Sequence, residues 1–167
     1  MTYRIAAGIQ ISLDGTNWYK LSDHNRQQIG FSYDIIENSK RMANGLMRKY
    51  VVAKKLKINT SWNNLPTLDQ NLVDYDSTTK GGAWMKAFYE SNVFVPVQVK
   101  VIFAQETTPT NGSIPVDNTY VDSVHNGGVA KNYYITSFTY DILKRMVQSG
   151  STSGIDYTDI KIEFTEI

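Results

Sequence analysis

The chain has 167 residues, 41% of them hydrophobic and 20% charged, with 17 basic against 16 acidic side chains and a formal net charge of +1. This length favours one domain with its own core, and the composition excludes a disordered chain. The absence of cysteine excludes disulfides, thiolate metal sites and a thiol nucleophile, and fits a reducing compartment.

Alternation of apolar and polar residues begins at once. Tyr3, Ile5, Ala7, Ile9 and Ile11 share one parity and predict a first strand ending at the Asp14-Gly15 turn, with Trp18–Leu21 returning beside it. No long apolar run precedes it, so the segment reads as a strand rather than a signal peptide. The apolar stretch Val93–Ala104 is interrupted by Gln98 and Lys100 and is too short to span a bilayer, so no membrane partner is expected.

Asn44-Gly45 is the strongest hairpin signal in the chain. Taken as a two-residue turn, it pairs Ala43 with Leu46, Met42 with Met47, Arg41 with Arg48 and Lys40 with Lys49. The last two pairs set like charges opposite each other, which weakens a sheet; a one-residue shift still leaves Lys40 facing Arg48. Further out the register improves: Asp34 meets Lys55, Tyr33 meets Leu56, and Phe31 meets Ile58 on an apolar face, with Ser32 and Lys57 on a polar one. The pattern holds for thirteen residues on each side of the turn. At about 3.3 Å per residue each side is roughly 40 Å long, about twice an ordinary strand of five or six residues. The base belongs to a core and the tip projects. A two-stranded projection is marginal by itself, so the expectation is that it completes its sheet on another copy. The alternative is a shorter hairpin with a bulge and a surface loop from Glu37 to Ala53.

Beyond the hairpin, Asn63–Lys80 reads as irregular. A helix follows over about residues 79–91, with Thr78 or Thr79 as its cap and Trp84 and Phe88 on one packing face. Val93, Val95, Val97, Val99, Val101 and Phe103 form the cleanest core face, and Pro96 on the opposite parity suggests an edge strand. Gln105–Ala130 is a long loop. A Tyr-rich strand over Lys131–Leu143 and a last strand marked by Ile160, Ile162 and Phe164 complete the chain. The fold class is mainly β, an antiparallel sandwich or barrel with a long projecting hairpin and one packed helix, in a single domain over residues 1–167. The expected core includes Phe31, Tyr33, Leu56, Ile58, Trp84, Phe88, Val97, Val99 and Val101.

Charge is distributed unevenly. Ser39–Lys57 carries seven basic residues and no acidic one, leaving ten basic against sixteen acidic elsewhere. The inter-subunit arm therefore centres on Lys40, Arg41, Met42, Asn44, Gly45, Leu46, Met47, Arg48, Lys49, Tyr50, Lys54 and Lys55. Its acidic counterparts on neighbouring copies are expected among Asp69, Asp74, Asp76, Asp117 and Asp122.

The spans "GFSYDIIENSKRMANGLMRKYVVAKKLKINTSW" and "GGAWMKAFYESNVFVPVQV" resemble the tail tube and related minor tail proteins of long-tailed bacteriophages. The likeness runs from about Gly30 to Phe103, roughly half the chain, and rests on the long hairpin, the strand ending in Trp62, and the helix leading into a Val-rich strand. It implies a virion structural protein, made in the host cytoplasm, whose hairpin joins the inner barrel of a hexameric ring. Such rings stack into a tube with other tail proteins, and DNA passes through as cargo. A neck or distal tail component is the alternative within that resemblance.

Catalytic chemistry is not expected. His24 and His125 lack partners at metal-ligand spacing, and Asp74/Asp76 and Asp156/Asp159 lie in loop-like sequence where solvated roles are the ordinary case. The stretch "NGSIPVDNTYVDS" lacks calcium-loop spacing, and neither Gly81-Gly82 nor Gly127-Gly128 continues into a phosphate-binding motif. No cofactor and no metal are expected. The rival to assembly is a nucleic-acid-binding β-ribbon, in which the basic arm tracks phosphates.

Overall fold

The computed structural model describes residues 8–68, 79–102, 119–120, 132–147 and 154–167. In chain order the elements are β1 (Gly8–Ser12), β2 (Tyr19–Lys20), β3 (Gly30–Arg41), β4 (Met47–Pro66), α1 (Gly82–Ser91), β5 (Val97–Ile102), β6 (Thr119–Tyr120), β7 (Asn132–Val147) and β8 (Gly154–Glu166). All the strands among the described residues belong to one eight-stranded sheet in the order β2-β1-β5-β7-β8-β4-β3, with β6 pairing on β5. Every strand pair is antiparallel.

Period-two alternation explains why these residues make this sheet. On β4, Leu56, Ile58, Thr60 and Trp62 are buried, while Lys55, Lys57, Asn59 and Ser61 turn to the other face. On β8, Thr158, Ile160, Ile162 and Phe164 are buried in the same way. They meet Ile9 and Ile11 of β1 and Val97, Val99 and Val101 of β5 in one cluster.

A flat sheet would keep β1 and β4 apart, because three strands separate them at about 4.8 Å each. The chain after β2 closes the gap. The Gln27 amide donates to the Ser61 carbonyl at 2.8 Å, the Asn63 amide to Asn25 at 3.2 Å, and Arg26 bridges to Trp62 in antiparallel sense. The fully buried Trp62 donates its indole N–H to the Ser22 carbonyl at 2.6 Å. The sheet thus curls into a barrel-like wrap around one core.

Helix α1 packs on the core side. It buries Gly82, Met85 and Phe88, and Tyr89 stacks on Phe138 of β7 at 4.6 Å. Trp84, expected as a core anchor, is only partly buried; it lies between Tyr19 and Phe88 at ring distances of 5.1 and 4.9 Å. The face buried by the helix is offset toward Met85, which leaves Trp84 at the rim. The helix starts later than expected. Gly81 is its cap and no side chain caps it, while the buried Thr79 hydroxyl has no hydrogen-bond partner among the described residues. Glycine is needed there because a Cβ on Gly81 would lie 2.1 Å from the Leu68 carbonyl oxygen.

Three further expectations change. Asn63–Pro66 is strand, continuing β4 through a register shift near Asn64, whose φ is 57°. The Val-rich strand begins at Val97 and lies between β1 and β7, so Pro96 marks its start and not a sheet edge. The Tyr-rich strand runs on to Val147 and forms a hairpin with β8. The long loop over 105–130 lies outside the described residues apart from β6, as do residues 1–7 of the expected first strand.

Candidate assembly interface

The arm is the part of β3 and β4 that leaves the core. Below it, Phe31 is partly buried and pairs with the fully buried Ile58. Tyr33 opposite Leu56 is already 45% exposed, so it belongs to the arm's surface rather than the core, with the Lys54 ammonium 4.0 Å from its ring centre. Every residue from Ser32 to Val52 is exposed. From Asp34↔Lys55 to Arg41↔Met47 there are eight paired positions, or about 26 Å of ribbon at 3.3 Å per residue.

The base keeps the expected register; the tip does not. Between Ile36↔Ala53 and Glu37↔Val51 the pairing shifts by one, leaving Val52 as the extra residue of a bulge. The turn shifts to match. Met42 N–H donates to the Leu46 carbonyl at 2.8 Å and Gly45 N–H to the Met42 carbonyl at 2.9 Å, so three residues span the turn. Leu46 N–H also donates to Asn44 Oδ1 at 3.1 Å. Gly45 alone carries positive φ, 80°. A three-residue turn needs one left-handed residue, whereas the expected two-residue form needs two, Asn44 included.

This shift settles part of the charge conflict. Arg41 faces Met47 and Lys49 faces Ser39, so the expected Arg41/Arg48 and Lys40/Lys49 pairs do not form. Lys49 instead reaches Glu37 at 2.5 Å. Lys40 still faces Arg48. At the base, Asp34 is opposite Lys55 but its ion pair is with Lys57, 2.7 Å away, which raises the Lys57 pKa through that hydrogen bond. Lys55 Nζ donates to the Ile167 carbonyl. Lys40, Arg41 and Arg48 make no ion pair among the described residues.

Alongside these cations the arm exposes apolar area. Ile35, Ile36, Leu46, Met47, Tyr50, Val51 and Val52 are each about half exposed or more, up to 75% at Val52. Met42 is 42% exposed. Scattered apolar residues are ordinary on a surface, but this many on one ribbon make the arm a candidate interaction surface. The five acidic residues expected to oppose the arm, Asp69, Asp74, Asp76, Asp117 and Asp122, lie outside the described residues.

The sequence did not point to a second exposed edge. Beyond Tyr133, which pairs with Val97, β7 has no strand partner on its outer side among the described residues. Ile142, Leu143 and Met146 near its far end are 50–60% exposed. The β7–β8 hairpin ends at Val147↔Gly154, and β4 ends beside Tyr157, so this hairpin points away from the β3–β4 arm. The sheet face opposite the core is polar: Ser32 and Asp34 of β3, Lys57, Asn59 and Ser61 of β4, and Lys161 and Glu163 of β8. A shallow depression of about 290 Å³ lies there, lined in part by Gln28, Asn59, Ser61, Ser137, Lys161 and Glu163.

Acid–base candidates are engaged in structure. The Asp156 carboxylate accepts from Arg145 at 2.8 Å, and that hydrogen bond holds it below the ordinary carboxylate value. Asp159 accepts the Asn64 amide at 2.9 Å. His24 is half-buried, its backbone N–H bonded to the Ser22 hydroxyl; His125 lies outside the described residues. Among the described residues no three acidic or histidine side chains gather as a metal site, and no helix is long and apolar enough to cross a membrane.

No protein-family model and no curated protein matches the chain. Among solved structures it is similar to a chain described as "Tail of empty GTA particle computed with helical refinement, C6 symmetry", with 12% identity, 96% of this chain and 90% of that chain covered, and a TM-score of 0.46.

Proposed function

We propose that this chain is a self-assembling structural subunit of a phage-type tail, forming rings that stack into a tube, with a structural rather than catalytic role. The observation that carries the reading is the β3–β4 arm, exposed on both faces from Ser32 to Val52 while its base is rooted in the core. The resemblance of residues 30–103 to tail tube proteins supports the tail context, and supplies the hexamer, the stacking and the passage of DNA.

Topology supplies a way to close a ring. Strands β7, β8, β4 and β3 are successive and antiparallel, so β7 and β3 run in opposite directions. A copy rotated about an axis along the strands therefore presents its β7 antiparallel to β3. Both edges want a partner, since an unpaired strand edge is a template for pairing. The two edges are staggered: Gly30, Asn59, Glu163 and Ser137 share one level through successive pairings, and the stretches of β3 and β7 with no outer strand among the described residues lie on opposite sides of it.

Only a tilt of the strands brings these edges together. Four strands at about 4.8 Å and a barrel tilt near 40° give an offset of roughly 16 Å, or about five residues. The part of β3 below the bulge at Ile36/Glu37 then pairs with the neighbour, and the tip beyond it projects toward the next ring. Six copies would contribute twenty-four strands and a barrel radius of about 24 Å. With the helix and core on one face, the polar face of Lys57, Asn59, Ser61, Lys161 and Glu163 is the one suited to a water-filled channel.

The experiment is assembly of purified, nucleic-acid-free protein followed by electron microscopy, together with duplex binding against salt. The reading expects rings or tubes and only weak binding at physiological salt. The β-ribbon alternative has Lys40, Arg41 and Arg48 available for phosphates. Tight binding by unassembled protein, with a log–log salt slope near −0.9 for each phosphate neutralised, would establish that alternative and refute the proposal.

A further inference from the structure

We infer that Phe94 is an inter-subunit anchor, covering the strand β3 that an adjacent copy lays along β7 and packing against that copy's Ile35. This inference rests on the assembly reading and adds to it the residues that meet at the joint.

Phe94 is 90% exposed, the highest exposure among the large apolar residues described, and Val95 beside it is 42% exposed. A large ring on a flexible segment would need no explanation, but this one is held. Asn92 closes α1 by donating from its side chain to the Phe88 carbonyl at 2.8 Å and from its backbone to Tyr89 at 3.1 Å. The Val95 amide then donates to the Asn92 carbonyl at 3.2 Å, fixing the turn that carries Phe94. Two residues later Val97 pairs with Tyr133, the point beyond which the outer edge of β7 has no strand partner among the described residues. Phe94 thus stands where an added strand would enter, next to the helix that covers the core side.

The incoming strand has the matching face. Phe31, Tyr33 and Ile35 share one parity on β3, with Phe31 packed against the core, so this parity looks to the helix side. Ile35 is 49% exposed. On β7 the same side carries Ile135, Phe138 and Tyr140, all at least partly buried. An offset of about five residues, as barrel tilt requires, brings Ile35 level with the turn at Phe94 and sets Phe31 and Tyr33 beside Phe138 and Tyr140. The apolar layer would then run from one copy into the next. The occupant is a second copy, because the long edges without an outer strand among the described residues are those of β3 and β7, opposite in direction and alike in polarity of face.

The chain's lack of cysteine permits a direct test. Ile35→Cys and Phe94→Cys are prepared separately, mixed, assembled and mildly oxidised. Disulfide-linked dimers are expected from the mixture and not from either variant alone, since the joint sets residue 35 of one copy against residue 94 of the other. In parallel, Phe94→Ser should leave the monomer's far-UV spectrum and melting temperature unchanged and raise the concentration needed for assembly by about tenfold or more. If the unsubstituted chain assembles, yet the mixture gives no cross-link and Phe94→Ser assembles at the same concentration, the joint is wrong and the assembly reading stands. If the unsubstituted chain remains monomeric, both are overturned.

Discussion

Trp62→Phe tests the closure of the barrel. Trp62 is fully buried, opposite Ile160 on β8, and its indole N–H reaches the Ser22 carbonyl at 2.6 Å. Ser22 is itself only 1% exposed. Phenylalanine keeps an aromatic ring but removes the donor, and losing a hydrogen bond to a buried carbonyl costs about 1–3 kcal/mol. The missing second ring leaves a void of roughly 40 Å³, worth about 1 kcal/mol at ~24 cal/mol per Å³. Together these give a loss of about 2–4 kcal/mol, and a fall in melting temperature of about 5–15 °C for a chain this size. Urea unfolding followed by far-UV circular dichroism, in protein too dilute to assemble, measures it. A loss below about 1 kcal/mol would show that the segment after β2 does not close the sheet onto β4 and that the core description is wrong.

Trp84→Ala should cost less than the full-burial range, on the order of 1–2 kcal/mol, because the ring is only partly buried between Tyr19 and Phe88; a loss of about 3–5 kcal/mol would place Trp84 in the core after all. Asp14 accepts from the Thr16 and Asn17 amides and the Asn17 side chain, which hold its pKa far below the ordinary 3.8. A depressed carboxylate stabilises the fold above its unfolded value and loses that contribution as pH falls through the folded one. Melting temperature against pH should therefore fall less steeply below pH 4 in Asp14→Ala than in the unsubstituted chain, and parallel curves would refute the role given to this turn.

Alternation made much of the sheet legible. Val97, Val99 and Val101, and Ile160, Ile162 and Phe164, show their buried parity because one face of each strand meets a core and the other does not. The base of the arm was readable for the same reason. Its tip was not: register counted from Asn44-Gly45 assumes an unbroken ladder, and the extra residue at Val52 has no signature among neighbours that are exposed on both faces. The lower half of the β7–β8 hairpin carries no such signal because the register shift between Ile142 and Lys144 breaks the alternation. Trp62 read as the end of a strand; that it joins opposite ends of the sheet depends on Ser22, forty residues away, a contact that no local pattern encodes. The arm's basic cluster was visible as composition, and its ion pair with Glu37 was not, since that depends on the shifted register.

The most direct test of assembly through the arm compares the full chain with a variant in which residues 40–49 are replaced by a short Gly-Ser turn. These residues are all exposed, and the buried base at Leu56 and Ile58 is untouched, so the variant should fold. Size-exclusion chromatography with light scattering, and negative-stain imaging of the same fractions, would read the outcome. The account predicts stacked rings or tubes from the full chain, and single unstacked rings from the shortened one, which keeps the part of β3 below the bulge. Tubes of the same form from both proteins would contradict it.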